Sequence, residues 1–226
     1  SELCYEQVTT CELAENEDHK HTADCFSSVL VCEQPEHTHT ALCYPDYAAD
    51  AETYEERIAS FASAELSERT EETLINIAFT QLGYTESERN FILDENSLQK
   101  KGYTRYGAWF GNEYANWNTL FVSFCLYYSQ PPAADSYICI TAEGMKGAFS
   151  ANGLYLSAKQ AVAERGDVVF FDTDSDGIAD RTAIVIFAGT NRLIVLQGDC
   201  ENKVQEQHYT DLSNVLGYGR IALTTA

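Results

Sequence analysis

The stretch Trp117-Asn118-Thr119-Leu120-Phe121-Val122-Ser123-Phe124-Cys125 predicts the central helix of the fold. Its large apolar side chains, together with Tyr128, recur at the three- and four-residue spacing that places them on one helix face. We expect the helix to cover about residues 116–129, because Pro131-Pro132 cannot continue it.

Another helical pattern precedes this stretch, and β-rich segments follow it. Apolar residues at i, i+3, i+4 and i+7 run from Ile75 to Leu82, and Gly83 is a typical helix end. A shorter helix is expected within 52–66. The predicted strands are 168–171, 183–187, 193–196, 204–209 and 215–222. Helices followed by an antiparallel sheet indicate an α+β fold.

Length and charge limit the classes of partner. The 226 residues suffice for one substantial core and a small accessory unit. With 14 Lys and Arg against 35 Asp and Glu, the net charge of −21 repels phosphate backbones, so no nucleic-acid partner is expected. The apolar runs are far shorter than the roughly 20 residues of a membrane span, so we expect no membrane insertion.

Cysteine and histidine concentrate at the N-terminus in an internal repeat. One copy holds Cys11, His19, His21 and Cys25, and the other holds Cys32, His37, His39 and Cys43. Each copy has enough ligands for a tetrahedral structural zinc site. Disulfides are the alternative, but they leave both His-x-His pairs unexplained, so zinc is favoured. The predicted organisation is repeats over 1–45, a linker and helix over 46–70, and the main domain over 71–226.

An acidic loop offers a second metal site. Oxygen ligands alternate along it as in an EF-hand, with Gly177 at the turn. The predicted calcium ligands are Asp172, Asp174, Asp176, Ile178 and Asp180. Ala183 replaces the bidentate Glu at the twelfth position, and a solvated Asp/Gly turn remains the alternative.

Four ordered blocks between about residues 73 and 222 resemble the CHAP branch of the papain-like amidases, found in secreted and surface proteins of Gram-positive bacteria. The blocks are 81–84 with 102–109, 117–125, 165–172 and 216–219. The resemblance spans about two-thirds of the chain. It implies a papain-like fold with helices packed on an antiparallel sheet, and an extracellular, secreted or surface-attached protein.

The catalytic positions that the resemblance implies hold other residues. Asn118 stands where the nucleophilic Cys is expected, and an amide has no nucleophilic thiolate. Arg181 stands where the His is expected, and guanidinium stays protonated. Gln197 occupies the third position. The sequence therefore predicts a pseudoenzyme.

The other thiols are weaker candidates for a nucleophile. Cys125 on the apolar helix face and Cys139 in the strand-like segment 137–141 are interpreted as buried small residues. Cys200 with His208 is the alternative dyad, although these residues are expected on different strands.

Three functions follow as hypotheses. The first is a non-catalytic module whose cleft binds a cell-wall peptide, a glycan or another surface protein. The predicted cleft residues are Trp109, Tyr114, Trp117, Asn118, Arg181 and Gln197. The second is an active amidase or endopeptidase with displaced catalytic residues. The third is a structural spacer.

Overall fold

The computed structural model describes residues 5–9, 26–30, 44–94, 97 and 99–221. The chain divides into two compact units, Ser1–Tyr44 and Pro45–Ala226. In the first unit, β1 (Tyr5–Thr9) pairs antiparallel with β2 (Phe26–Leu30), with Tyr5 opposite Leu30. The eight predicted zinc ligands lie outside the described residues, so zinc and disulfides both stay predictions there.

The second unit has an α+β fold. Its helices are α1 (Tyr54–Ala59), α2 (Thr70–Thr80), α3 (Arg105–Phe110), α4 (Asn118–Ser129) and α5 (Ala142–Ala151). A hairpin of β3 (Phe91–Leu93) and β4 (Lys100–Gly102) precedes α3. The main strands are β5 (Tyr155–Ser157), β6 (Val168–Phe171), β7 (Arg181–Gly189), β8 (Arg192–Cys200), β9 (Lys203–Tyr209) and β10 (Val215–Gly219).

The main strands form one antiparallel sheet in the order β5-β10-β6-β7-β8-β9. Because side chains alternate along a strand, β6 to β10 each contribute to two apolar clusters. Phe170 and Ile184 point toward α2 and α4 in the larger cluster, whereas Phe171 and Ala183 belong to the smaller cluster. We call these two sides the helix face and the opposite face of the sheet.

Helix α4 is the centre of the larger cluster. Its residues from Thr119 to Leu126 are all buried, so this helix is covered on every side rather than along one stripe. It packs against α2 and α3 and across β7 and β8. Within the described residues no helix has the length and apolarity to cross a membrane.

Three elements differ from the expectations drawn from the sequence. Helix α5 is not predicted, since Gly144 and Gly147 weaken its helical pattern, yet the Thr141 hydroxyl caps it by accepting the Gly144 N–H at 3.2 Å. Cys139 follows a short 3-10 helix (Ala134–Tyr137) and is not in a strand. The helix expected within 52–66 ends at Ala59, and the 222 end of the last predicted strand lies outside the described residues.

Gly198 allows α4 to lie close to β8. A Cβ atom at this position would lie 2.6 Å from the Cβ of Phe121, so any side chain here pushes the helix and sheet apart. The absence of a side chain at Gly198 thus sets the helix-to-sheet distance at the N-terminal end of α4.

We predict that Gly198→Ala lowers the free energy of unfolding by about 1–3 kcal/mol, because the overpacked core must shift. Gly147→Ala is the matched control, since its Cβ meets nothing within 4 Å and alanine favours the helix by up to about 1 kcal/mol. Urea denaturation of both variants measures the difference. Equal stabilities of the two variants would contradict the proposed close packing.

Candidate functional site

The Asn118 amide joins α4 to two strands of the sheet. Its Oδ1 accepts the Thr182 N–H at 2.8 Å, and its Nδ2 donates to the carbonyl oxygens of Thr182 at 3.1 Å and Gly198 at 2.8 Å. The pairing between β7 and β8 ends at Ile184 opposite Leu196, so the amide lies beyond the last backbone rung. The Asn118 side chain thereby continues the hydrogen bonding between β7 and β8, with its amide N–H as donor and its amide oxygen as acceptor. We call these bonds the Asn118 bridge.

Arg181 and Gln197 lie on the opposite face of the sheet. Arg181 is paired with Phe171, whose side chain belongs to the smaller cluster, and directly opposed residues share a face. Its guanidinium donates to the carbonyl oxygen of Asp199. Gln197 is 1% exposed and accepts a hydrogen bond from the Tyr209 hydroxyl at 2.8 Å.

The residues that meet Asn118 from the sheet are therefore Thr182 and Gly198. Each directly follows one of the two positions selected from the sequence. Thr182 is paired with Phe170 of the helix face. The sequence contains a signal for this: Thr182 lies two residues before the apolar Ile184, so the two side chains point to the same face of the strand. The start of α4, the start of β7 and the end of β8 therefore lie together, but the side chains of Arg181 and Gln197 point to the opposite face of the sheet.

The described thiols have no imidazole beside them. Cys125 is completely buried, and burial raises the pKa of its thiol, as it also does for Cys139. Cys200 pairs with Lys203, whereas His208 pairs with Ile194, about 20 Å away along β8 at roughly 3.3 Å per residue. His208 instead contacts Glu206 and, at 3.1 Å, Arg192. A Cys200–His208 dyad is excluded by this register.

The three predicted aromatic cleft residues do not line one cleft. Trp117 is 1% exposed and stacks on Tyr106 with ring centroids 5.4 Å apart. Trp109 packs against Phe124, further along α4. The Tyr114 hydroxyl donates to Asn90 at 2.8 Å. Trp117 is therefore part of the core, whereas Trp109 and Tyr114 are half-buried and contact different parts of the domain.

A different pocket of about 380 Å³ lies at the N-terminal end of α4. It is lined by residues 116, 118–119, 140–143 and 178–180, and none of them is aromatic. Ile140 and Ile178 flank it, with 40% and 50% of their surfaces exposed. The Glu143 carboxylate closes one wall by accepting the Ala179 N–H at 2.8 Å. We call this pocket the α4 cleft.

The acidic loop gathers three of its carboxylates. Oxygen atoms of Asp172, Asp174 and Asp176 lie within 4.8 Å of one another. Partial desolvation, with Asp176 and Asp180 nearby, raises the pKa of Asp174. The loop carboxylates also accept hydrogen bonds within the loop: Asp172 from the backbone N–H groups of Ser175 and Gly177 at 2.7 and 2.9 Å, and Asp180 from the backbone and hydroxyl of Thr173 at 2.6 and 2.8 Å. Three of the five predicted calcium ligands are thus gathered, and Asp180 is not among them.

Comparisons with known proteins give little further information. No protein family and no curated protein match the chain. The solved structure titled "The crystal structure of Ly7917" is similar over 75% of this chain, with 13% identity and a TM-score of 0.37. The match spans 63% of the length of that structure. A similarity at this level carries no argument about fold or function.

We predict that Asn118→Asp lowers the free energy of unfolding by about 1–3 kcal/mol, because a carboxylate cannot donate to the carbonyl oxygens of Thr182 and Gly198. Asn116→Asp is the control, since Asn116 is exposed two residues earlier. Chemical denaturation at neutral pH measures both. If Asn118→Asp is as stable as the control variant, the hydrogen bonds of the Asn118 amide do not stabilise the fold.

Proposed function

We propose that the 45–226 unit is a non-catalytic binding module with the fold of a CHAP-type amidase, carried by a secreted or surface-attached bacterial protein. The observation that supports it is the state of Asn118. The residue at the nucleophile position bonds to the backbone of two strands, and no thiol or imidazole among the described residues is hydrogen-bonded to it. This position therefore serves the packing of α4 instead of bond cleavage.

The α4 cleft is the proposed ligand site, and a cell-wall peptide is the favoured ligand. Its exposed Ile140 and Ile178 offer apolar contacts to a side chain. The first N–H groups of α4 have no partner within the helix and can donate to a peptide carbonyl. A glycan is less suited, because sugar rings stack on aromatic side chains and the cleft has none.

An active amidase is the competing function, and purified peptidoglycan distinguishes the two. We expect the protein to bind the insoluble wall in a pull-down without releasing soluble fragments. Cys200→Ala is expected to change neither result, because His208, the histidine that the structure describes, is about 20 Å away along the sheet at roughly 3.3 Å per residue. Release of fragments that Cys200→Ala abolishes would overturn the proposal.

We predict that Ile178→Ser weakens binding to peptidoglycan about tenfold, through loss of apolar contact worth roughly 1–1.5 kcal/mol. Val162→Ser is the matched control, because Val162 is 79% exposed and lies outside the α4 cleft. Isothermal titration with soluble wall peptides measures the change. Equal losses in both variants, or no binding by the parent protein, would instead favour the spacer function.

We also propose that the 172–180 loop binds calcium. Repulsion among its clustered carboxylates is what a divalent cation would relieve. The repeats at residues 11–43 are proposed to hold structural zinc on the donor set noted from the sequence.

Calcium at ten times its dissociation constant is expected to stabilise the unit by roughly 1.4 kcal/mol. The double variant Asp174→Asn/Asp176→Asn should lose this effect, while Asp135→Asn, an exposed residue outside the loop, should keep it. Thermal melting with calcium or with a chelator gives the readout. A melting temperature that calcium leaves unchanged would contradict the proposal.

A further inference from the structure

A second cavity is separate from the α4 cleft. It measures about 970 Å³ and is lined by residues 50–52, Glu56, 83–89, Lys100 and 201–203. Six of its lining residues are carboxylic acids and three are basic. We call it the acidic cavity. Its lining carries a net charge of −3 when all nine groups are ionised, which attracts cations.

Glu86 is a fixed and only partly compensated charge in this cavity. Its Oε1 accepts the Gly102 N–H at 2.5 Å, and its Oε2 accepts the indole N–H of Trp117 at 2.9 Å. Both donors are neutral, and within the described residues no salt bridge engages Glu86. Burial, together with nearby Asp199, raises its pKa even though Lys100 acts in the opposite direction.

The position of the Glu86 carboxylate depends on Gly102. A Cβ at residue 102 would lie 2.6 Å from Cγ of Glu86 and 2.2 Å from the carbonyl oxygen of Ser87. Only glycine lets the β4 backbone approach closely enough to hold this carboxylate. The site is thus built by three separate segments of the chain: the 83–89 loop, β4 and the residue before α4.

A second carboxylate in the same lining has an unused acceptor. Glu52 Oε1 pairs with the guanidinium of Arg105, but Oε2 is buried and has no hydrogen-bond partner. This oxygen is enclosed by the protein, so it adds to the negative charge of the lining but does not itself contact a ligand in the cavity.

We propose that the acidic cavity binds a peptide through a lysine ammonium group, with Glu86 as its ionic anchor. An ammonium group carries a positive charge and three hydrogen-bond donors on a flexible stem, which suits a carboxylate whose own partners are neutral donors. A bare divalent ion fits less well. Within the described residues only Asp172, Asp174 and Asp176 bring three possible ligand atoms within 4.8 Å, and none of them lines this cavity. The volume also exceeds what one ion needs and matches a short peptide.

The probe for this site is the peptide acetyl-Ala-Lys-Ala-amide, compared with the same peptide carrying Nε-acetyllysine. We expect the charged peptide to bind at least tenfold more tightly, because acetylation keeps the chain but removes the ammonium charge. Fluorescence of Trp117, which is bonded to Glu86, and isothermal titration report binding. Equal affinities for the two peptides, or no saturable binding of either, would overturn the proposal.

Glu86→Gln should reduce the preference for the charged peptide to less than twofold. Glu68→Gln removes the same charge at an exposed position outside the cavity and should leave the preference intact. Equal effects of the two variants would show attraction by the overall charge and would exclude a site. Lowering the pH through the raised pKa of Glu86 should weaken binding more in the parent protein than in Glu86→Gln, in which only the other acids of the lining titrate.

Folding of Glu86→Gln is checked by its melting curve, because the amide loses one of the two N–H bonds. If Glu86→Gln does not fold, Glu201→Lys on the exposed rim of the cavity tests the proposal instead. The added positive charge is expected to weaken binding of the charged peptide at least threefold and to leave the affinity for the acetylated peptide unchanged. This inference does not rest on the α4 cleft. The Ile178→Ser result tests that cleft without bearing on the acidic cavity.

Discussion

The attachment of α4 to the sheet through the Asn118 amide is the constraint on which the rest of the second unit depends. The amide hydrogen-bonds to the N–H and the carbonyl oxygen of Thr182 and to the carbonyl oxygen of Gly198. These bonds lie where the backbone pairing between β7 and β8 ends. Gly198 lets Phe121 approach at the same point. Polar pairing and close packing therefore act together to place a helix that is buried from Thr119 to Leu126 across two strands.

The hydrogen bonds at this attachment depend on the amide of Asn118. A cysteine thiol in place of Asn118 could not donate and accept as an amide does, so Thr182 and Gly198 would lose their partners. Arg181 and Gln197 are directed to the opposite face, where their hydrogen bonds go to Asp199 and the Tyr209 hydroxyl. The side chains of the three residues therefore contact three different parts of the structure.

Trp117 connects the two candidate binding regions at the start of α4. Its ring is buried against Tyr106, and its indole N–H holds Glu86 in the acidic cavity, while the next residue, Asn118, lines the α4 cleft. Because Trp117 is buried, its ring cannot stack on a sugar, but its indole N–H positions the Glu86 carboxylate. The ligand chemistry proposed for both regions accordingly rests on peptides.

The sequence by itself determined the α+β class, the helices α2 and α4 and the main strands, because hydrophobic spacing directly reflects the period of each element. It also singled out Asn118 and the acidic loop. It did not determine which strand residues face Asn118, because a one-residue offset moves a side chain to the other side of the sheet. Only the tertiary structure decided that Thr182 and Gly198 meet the amide, that Trp117 is core, and that Glu86 meets Gly102 and Trp117. These contacts join segments far apart in the chain, and no local pattern records them.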